Sequence, residues 1–285
     1  MLQGLSENAH REQPKGKALQ REILPGSPTR GVLESVMSAT LLILAAGFAA
    51  GALNAIAGGG TFITFPVLVQ LGIPPIAANA TATVAALPGY VGGAWAFRRD
   101  IRAEGSLRVG ETVAISLVGG TAGSLLLLVT PAAIFDGVVP WLLLIATALF
   151  AFGPWLMSAL QRRGVGVAGR FVSFAAIFAV ALYGGYFNGG LGILLLACFG
   201  LIGYVNLSAM NGLKNLLSAA LSVISAATFA IAGIVEWREG LIMAVAAALG
   251  GYCGAWAARR ITRPMLLRAG IVLVGLAMSG LFFAR

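Results

Sequence analysis

The first stretch of the sequence that could bind a ligand is a glycine-rich interruption of an apolar segment. Its polar and flexible residues are Asn54, Gly58, Gly59, Gly60 and Thr61. Each glycine costs a helix about 1 kcal/mol relative to alanine, so three in succession predict a helix break. A helix that begins at Thr61 would point its positive N-terminal end into this break, where an anion is favoured. The alternative is a tight turn between two helices.

A second interruption of the same type lies in the other half of the sequence. It is the run Asn188-Gly189-Gly190-Leu191-Gly192. When the two interruptions are aligned, Gly60 falls on Gly192. Because the break recurs, we predict that the two interruptions meet inside the molecule and hold a negatively charged ligand.

Polar side chains follow each interruption at a shared spacing. They are Asn79, Thr81 and Thr83 in the first half and Asn211, Lys214 and Asn215 in the second. Asn79 and Thr83 are four residues apart and share a helix face, as do Asn211 and Asn215. We predict that Asn79, Thr83, Asn211 and Lys214 flank the ligand between the two breaks. The alternative is that these amides and hydroxyls bond neighbouring helices. A lone Lys214 in an apolar segment either attracts an anion or extends its amine to the membrane surface.

The composition indicates which elements position these residues. Hydrophobic residues make up 59% of the chain and charged residues only 10%, whereas soluble domains carry about 25% charged residues. The apolar runs are long and continuous, which favours bilayer-spanning helices over the alternating strands of a barrel. The net charge of +9 comes from residues at the ends of apolar runs, which is typical of membrane-helix flanks and not of a nucleic-acid surface.

Residue types that support catalysis are missing from the apolar segments. The sequence has no HExxH motif, no P-loop and no intramembrane histidine, and its only histidine is His10. We therefore predict no enzymatic activity, no cofactor and no metal site. The scarcity of Asp and Glu also disfavours a proton relay or a cation site built from carboxylates.

Ten apolar segments carry these residues. They span residues 36–57, 61–73, 79–97, 110–129, 138–160, 168–187, 191–205, 207–234, 240–258 and 265–283. A bilayer crossing needs about 20 residues, so the runs 61–73 and 191–205 are predicted to be half-helices or re-entrant segments.

The segments repeat in two sets of five. The alignment that places Gly60 on Gly192 also places Asn79 on Asn211, and a shift of one position places Gly119 on Gly250. Each half reads as a helix, a glycine break, a short run and three helices. An odd number of crossings in each half requires inversion of the second half. The predicted fold is an all-α polytopic membrane protein of two inverted-topology repeats with glycine-broken, short helices.

Loop charges agree with inversion. The regions 98–108, 161–170 and 259–268 are rich in arginine and are predicted to be cytoplasmic. The regions 130–137 and 236–239 lack net positive charge and are predicted to lie outside. Equivalent loops of the two halves thus have opposite charge bias, as inverted repeats require.

The predicted domain boundaries follow from this repeat. Residues 1–35 are polar and are predicted to be a disordered tail, followed by repeats at 36–163 and 164–285. The symmetry places the N-terminus outside, but the tail is basic, which favours the opposite side. Met37 begins an apolar helix directly, so translation from Met1 and from Met37 are both left open.

Four stretches together resemble the sulfite exporter TauE/SafE family of transporters. They are Gly47–Pro66 (GFAAGALNAIAGGGTFITFP), Leu71–Thr83 (LGIPPIAANATAT), Tyr183–Gly203 (YGGYFNGGLGILLLACFGLIG) and Asn211–Leu216 (NGLKNL). The resemblance extends over about residues 37–285. The first glycine run is shorter than in many members, and Asn188 stands where glycine or another small residue is frequent, so the substrate is left open.

The resemblance implies a multi-pass inner-membrane transporter of two homologous halves. Substrates of the family are small sulfur-containing anions and organic acids, such as sulfite and sulfonates. We expect export by alternating access, contact with the lipid bilayer and no nucleic-acid partner, and a homodimer is one arrangement that we consider. The alternatives are an anion channel and a membrane assembly subunit that does not transport.

Overall fold

The computed structural model describes residues 28–56, 59–162 and 168–258, together with a few helical positions between 272 and 283. Over this part of the chain the structure has nine helices joined by turns and no strand, which confirms the all-α prediction. The helices are α1 (Pro28–Ile56), α2 (Thr61–Gln70), α3 (Pro75–Ala96), α4 (Val109–Val129), α5 (Ala132–Arg162), α6 (Arg170–Tyr186), α7 (Leu191–Leu201), α8 (Leu207–Ile231) and α9 (Trp237–Ala258).

The chain forms two compact units, Met1–Ala39 and Thr40–Arg285. In the first unit the described residues belong to the start of α1, where the hydroxyls of Ser35 and Ser38 donate to carbonyls three residues earlier. This helix begins at Pro28, inside the predicted tail; residues 1–27 lie outside the described part. The second unit contains all other described helices.

The two short helices, α2 and α7, end in the same way. Each is followed by a glycine with positive φ, Gly72 at 87° and Gly203 at 101°. The next N–H bonds back into the helix, to the carbonyl of Leu68 at 3.1 Å in α2 and to that of Phe199 at 2.9 Å in α7. This Schellman motif requires the left-handed conformation that glycine adopts without strain. Backbone geometry therefore limits these helices to 10 and 11 residues.

The helices α6 and α7 form a hairpin in which the start of α6 lies beside the end of α7. Ala168, just before α6, donates its N–H to the carbonyl of Ile202, just after α7, at 3.2 Å. The two helices contain 17 and 11 residues, or about 25 and 17 Å, which is less than the roughly 30 Å of a bilayer core. The run 191–205 is thus a short helix, α7, as predicted, whereas α6, in the segment 168–187 that was not predicted to be short, is also shorter than a bilayer core.

The helices α3 and α8 cross as an antiparallel pair at the centre of the second unit. A Cβ on Gly93 would lie 2.7 Å from the side chain of Asn215, and Ala86 and Tyr90 pack with Ala219. Residues with higher numbers on α3 therefore contact residues with lower numbers on α8, so the two helices run in opposite directions. Because α3 and α8 hold equivalent places in the predicted repeat, this direction agrees with inversion, which for the complete halves stays a prediction.

Glycine contacts join the two halves at equivalent positions. A Cβ on Gly119 of α4 would lie 3.0 Å from the carbonyl oxygen of Phe178 on α6, and a Cβ on Gly250 of α9 would overlap the carbonyl oxygen of Phe48 on α1. Gly119 aligns with Gly250 in the predicted repeat, and Phe48 and Phe178 lie at nearly the same register of it. A helix of each half therefore packs at glycine distance on a helix of the other half.

Some predicted boundaries were wrong. The loop 130–137 is reduced to Thr130 and Pro131 because α5 begins at Ala132, with Pro131 accepting the first N–H bonds, so Asp136 lies within the helix. A proline before the first turn is preset for a helix start. The acidic loop before α9 likewise ends at Glu236, because Trp237 is already helical. Most of segment 265–283 lies outside the described residues.

Three described helical stretches are long and apolar enough to cross a membrane. They are Val32–Asn54, Val109–Val129 and Leu207–Ile231. The short helices α2 and α7, and α6, are apolar but shorter. The central helix α3 has 22 residues and carries Asn79 and three threonine or tyrosine hydroxyls on its buried positions, so its sequence is more polar than that of a simple lipid-facing span.

Candidate membrane transport site

The first break, just before α2, is closed on itself by local hydrogen bonds. The N–H of Gly60 donates to Asn54 Oδ1 at 2.7 Å, and α2 begins at Thr61 as predicted. A Cβ on Gly60 would meet the Ala50 carbonyl at 2.5 Å, so only glycine fits. The hydroxyl of Thr61 is buried and has no hydrogen-bond partner among the described residues. Gly58, which was also predicted, lies outside the described residues.

The second break, residues 187–190, is held by α5 and α6. Tyr183 donates its hydroxyl to the carbonyl of Gly189 at 2.7 Å. Gly190 has φ of 74°, and a Cβ there would lie 2.7 Å from Cβ of Ala146, so both conformation and space require glycine. Gly192, predicted as part of the break, is instead the second residue of α7. Judged by the helix starts, Gly190 and not Gly192 is the counterpart of Gly60.

The two breaks lie side by side, in agreement with the prediction that they meet. A Cβ on Gly190 would be 3.6 Å from Cζ of Phe62, in the first turn of α2. Phe65, one turn later, packs edge-on against Phe187 with ring centroids 5.6 Å apart. The start of the first short helix therefore contacts the interruption that precedes the second.

Asn79 connects α3 to the second break. Its Nδ2 donates to the carbonyl of Tyr186, the last residue of α6, at 3.0 Å. Its Oδ1 is buried and has no hydrogen-bond partner among the described residues. Thr83, on the same face, returns its hydroxyl to the carbonyl of Asn79 at 2.9 Å. Thr81 is directed elsewhere, because its hydroxyl accepts from the N–H of Glu236 before α9 at 3.0 Å.

Asn188 reaches from the second break to α8. Its Nδ2 lies 3.5 Å from Oγ of Ser222, and within the described part of the chain its Oδ1 is a buried acceptor without a donor. Ser225, three residues further on the same face of α8, has a buried hydroxyl that is also unpaired there. We call Asn79, Asn188, Ser222 and Ser225 the oxygen cluster.

The remaining predicted residues form a second group at the start of α8. Lys214 is only 6% exposed and donates to Asn211 Oδ1 at 3.2 Å. Asn211 in turn donates to the carbonyl of Leu207 in its own helix at 2.9 Å. Asn215 is buried where α8 meets Gly93 of α3. We call Asn211, Lys214 and Asn215 the lysine cluster.

The structure separates these two clusters, although the sequence analysis placed them in one pocket. Asn79 and Gly93, which lies beside Asn215, are fourteen residues or about 21 Å apart along α3. On α8 the nearest members of the two clusters, Asn215 and Ser222, are seven residues or about 10 Å apart. The separation follows from the antiparallel crossing of α3 and α8, which puts the starts of the two helices at opposite ends of their contact.

Sequence reasoning missed a buried serine stripe on α8. Ser218, Ser222 and Ser225 are at most 1% exposed. They continue the alternating steps of four and three residues that begin at Asn211 and Asn215, so all five side chains share one helix face. The spacing was present in the sequence and could have revealed the stripe.

The lysine cluster lies towards the end of the molecule that carries the arginine-rich loop 98–108. Glu104 from this loop accepts the N–H groups of Val205 and Asn206 at 3.1 and 3.0 Å, at the start of α8. Burial raises the pKa of this carboxyl, but the two N–H groups and Arg102 outweigh burial and hold the pKa below its ordinary value. The loop is thereby fixed to the first turn of α8.

Comparison with known proteins decides the family. The family model described as sulfite exporter TauE/SafE matches residues 43–282. The chain belongs to this family. It is thus a member of a group of membrane transporters and not of an enzyme family, as the sequence predicted.

Three curated relatives are similar to this TauE/SafE chain along most of its length. A probable membrane transporter protein of Haemophilus influenzae is 28% identical over 233 residues, which is 79% of this chain and 89% of the relative. The probable membrane transporter protein ORF9 of a Sinorhizobium species is 27% identical and covers 81% and 89%. The probable membrane transporter protein YfcA of Escherichia coli K12 is 28% identical and covers 81% and 84%.

Proposed function

We propose that this transporter exports small sulfur-containing or organic anions, such as sulfite and sulfonates, by alternating access. The protein would cross the inner (plasma) membrane several times, with the substrate and the surrounding lipid as its partners and a homodimer as one candidate assembly. The description of the family as sulfite exporters supports the substrate class.

The observation that carries the proposal is the environment of Lys214. Its side chain is buried in an apolar helix, and its described partner is the neutral amide of Asn211. None of the ion pairs among the described residues includes it. A buried charge without a counter-charge is costly, so an anion bound beside Lys214 would offset part of this cost.

Several features around Lys214 favour an anion over other ligands. Asn211 and Asn215 supply amide N–H groups. The buried positions of the described helices include no Asp or Glu that would repel an anion. Small oxyanions such as sulfite match this set of hydrogen-bond donors and one cation.

Flux from proteoliposomes tests the proposal. Vesicles containing the purified protein are loaded with 35S-labelled sulfite or a sulfonate, and efflux is followed for wild type, Lys214→Gln and Arg238→Gln. Arg238 is an exposed cation, so its substitution controls for a change of net charge. We expect Lys214→Gln to lose flux about tenfold to a hundredfold, the cost of a hydrogen-bonded charge. Equal flux in all three proteins would remove Lys214 from the mechanism.

A counterflow experiment distinguishes alternating access from the two alternatives, an anion channel and an assembly subunit. An unlabelled anion inside the vesicle should accelerate uptake of the labelled anion if one site alternates between the two sides. Flux that does not saturate and shows no counterflow would identify a channel. Absence of flux for every anion of the class would favour an assembly subunit.

A further inference from the structure

The oxygen cluster has the wrong polarity for an anion. Asn79 must present Nδ2 to the carbonyl of Tyr186, because its amide oxygen, like the carbonyl oxygen, carries no hydrogen to donate. This orientation leaves Oδ1 as the unpaired atom. Oδ1 of Asn188 is likewise buried without a donor in the described part of the chain. Both side chains are at most 2% exposed, so bulk water does not satisfy these oxygens.

Two side-chain contacts bring the residues of the oxygen cluster to one region of the molecule. Asn79 bonds to Tyr186, only two residues before Asn188. Asn188 is joined to Ser222, and Ser225 is the neighbour of Ser222 on the same face of α8. The hydroxyl of Ser225 has no partner among the residues that are described. Residues of α3 and α8 thus contact residues 186 and 188 at the second break, and each contributes a buried neutral oxygen to this region.

The carbonyl end of α6 lies at the same place, and the positive N-terminal end of α7, which begins at Leu191, offsets part of its negative potential. The helix ends at Tyr186, so its C-terminal carbonyl end faces the cluster. Interrupted membrane helices use such carbonyl ends and neutral oxygens to coordinate Na⁺. A divalent cation would need carboxylates, and no group of His, Cys, Asp or Glu that could hold a metal occurs in the described residues.

We infer that the oxygen cluster binds one monovalent alkali cation, with Na⁺ as its natural probe. Asn79 Oδ1 and Asn188 Oδ1 are the principal ligands, and the hydroxyls of Ser222 and Ser225 complete the oxygen shell. This site is distinct from the lysine cluster: Asn79 lies about 21 Å along α3 from the level of Asn215, and Ser222 lies seven residues, or about 10 Å, after Asn215 along α8. A role of the cation in moving the anion would rest on the proposed function, whereas binding of the cation would not.

Binding of Na⁺ to the full-length purified protein tests the inference. Sodium chloride replaces choline chloride at constant ionic strength, and the readouts are 22Na⁺ binding and the midpoint of thermal unfolding. A ligand that binds the folded state raises this midpoint. We expect saturable 22Na⁺ binding with a matching rise. Equal midpoints in the two salts and no saturable binding would mean that the cluster holds water only, and would overturn the inference.

Two serine variants locate the site. Ser225→Ala removes an unpaired hydroxyl of the cluster, and Ser116→Ala removes an equally buried, unpaired hydroxyl on α4 outside it. We expect Ser225→Ala to weaken Na⁺ binding about tenfold, or about 1.4 kcal/mol, and Ser116→Ala to leave it unchanged. Equal weakening in both variants would overturn the assignment.

Asn188→Asp provides a gain-of-function test at almost constant shape. The added negative charge should tighten Na⁺ binding at least about tenfold, because a carboxylate attracts a cation far more strongly than an amide does at low dielectric. Unchanged or weaker Na⁺ binding by the folded variant would contradict the site. Anion flux is measured in a separate experiment, so a failure of the transport proposal would not affect the interpretation of Na⁺ binding.

Discussion

The starts of α3 and α8 occupy equivalent positions in the predicted repeat but have different partners. Asn79 donates to the carbonyl of Tyr186, 107 residues away in the other half. Its counterpart Asn211 donates to Leu207 within its own helix and accepts from Lys214. In the same alignment the position of Lys214 is taken in the first half by Ala82, which is fully buried. At these two equivalent places of the predicted repeat, the side chains therefore differ in polarity: Asn79 presents an unpaired oxygen and Lys214 a buried cation.

Exchanging residues between the equivalent positions should have the largest effect. Ala82→Lys places a charge in a packed position that has no amide partner like that of Lys214, and an uncompensated buried charge costs about 3–5 kcal/mol. We expect this variant to yield little folded protein by size-exclusion chromatography in detergent. A folded, transport-active Ala82→Lys protein would show that the two positions are interchangeable.

Removal of the cation should act on transport and not on folding. Lys214→Met replaces a buried amine with an apolar chain of similar length, which is often neutral or stabilising by about 1–4 kcal/mol. The expected result is a thermal unfolding midpoint at or above that of wild type, together with the loss of anion flux predicted above. A large drop in the midpoint would mean that Lys214 serves the fold instead.

The two asparagines should differ in their contribution to stability. Asn79→Ala leaves the part-buried carbonyl of Tyr186 without the donor from α3, which costs about 1–3 kcal/mol. Asn211→Ala removes a bond within one helix and should cost less, near the roughly 0.6 kcal/mol typical of such bonds in membrane proteins. Thermal unfolding of both variants in the same detergent checks the order. The reverse order would contradict the bridging role of Asn79.

The smallest effect concerns the loop that is fixed to α8. Because the pKa of Glu104 is lowered in the folded protein, its ionised form contributes stability above the ordinary carboxyl pKa, and this contribution is lost as the pH falls through the folded value. Glu104→Gln should therefore be less stable than wild type at pH 7, by on the order of 1 kcal/mol. The difference should shrink in acid. A difference that is constant with pH would exclude ionisation as its cause.

The sequence predicted the local features of this fold because they depend on neighbouring residues. Glycine runs and prolines determine where a helix can start, and α2 begins at Thr61 as expected. The same reasoning misplaced the start of α5, which was predicted at residue 138. The residues after Pro131 are already helical, although they include Asp136. The glycine break thus predicted a helix start correctly, whereas the charge of Asp136 was wrongly taken to indicate a loop.

The arrangement of the site could not be predicted in the same way. The separation of Asn79 from Lys214 depends on the antiparallel register of α3 and α8, which no local pattern encodes. The partner of Thr81 is a backbone N–H 155 residues away. Its position two residues after Asn79 already directed it away from the shared face, but the sequence did not show that α9 begins there.

The central claim is that the buried amine of Lys214 holds the transported anion. The most direct measurement is equilibrium binding of 35S-labelled sulfite to purified wild type, Lys214→Met and Arg238→Gln at one fixed sodium concentration. The account predicts saturable binding to wild type and Arg238→Gln, and a loss of about tenfold or more in Lys214→Met. Wild-type affinity in a folded Lys214→Met protein would contradict it.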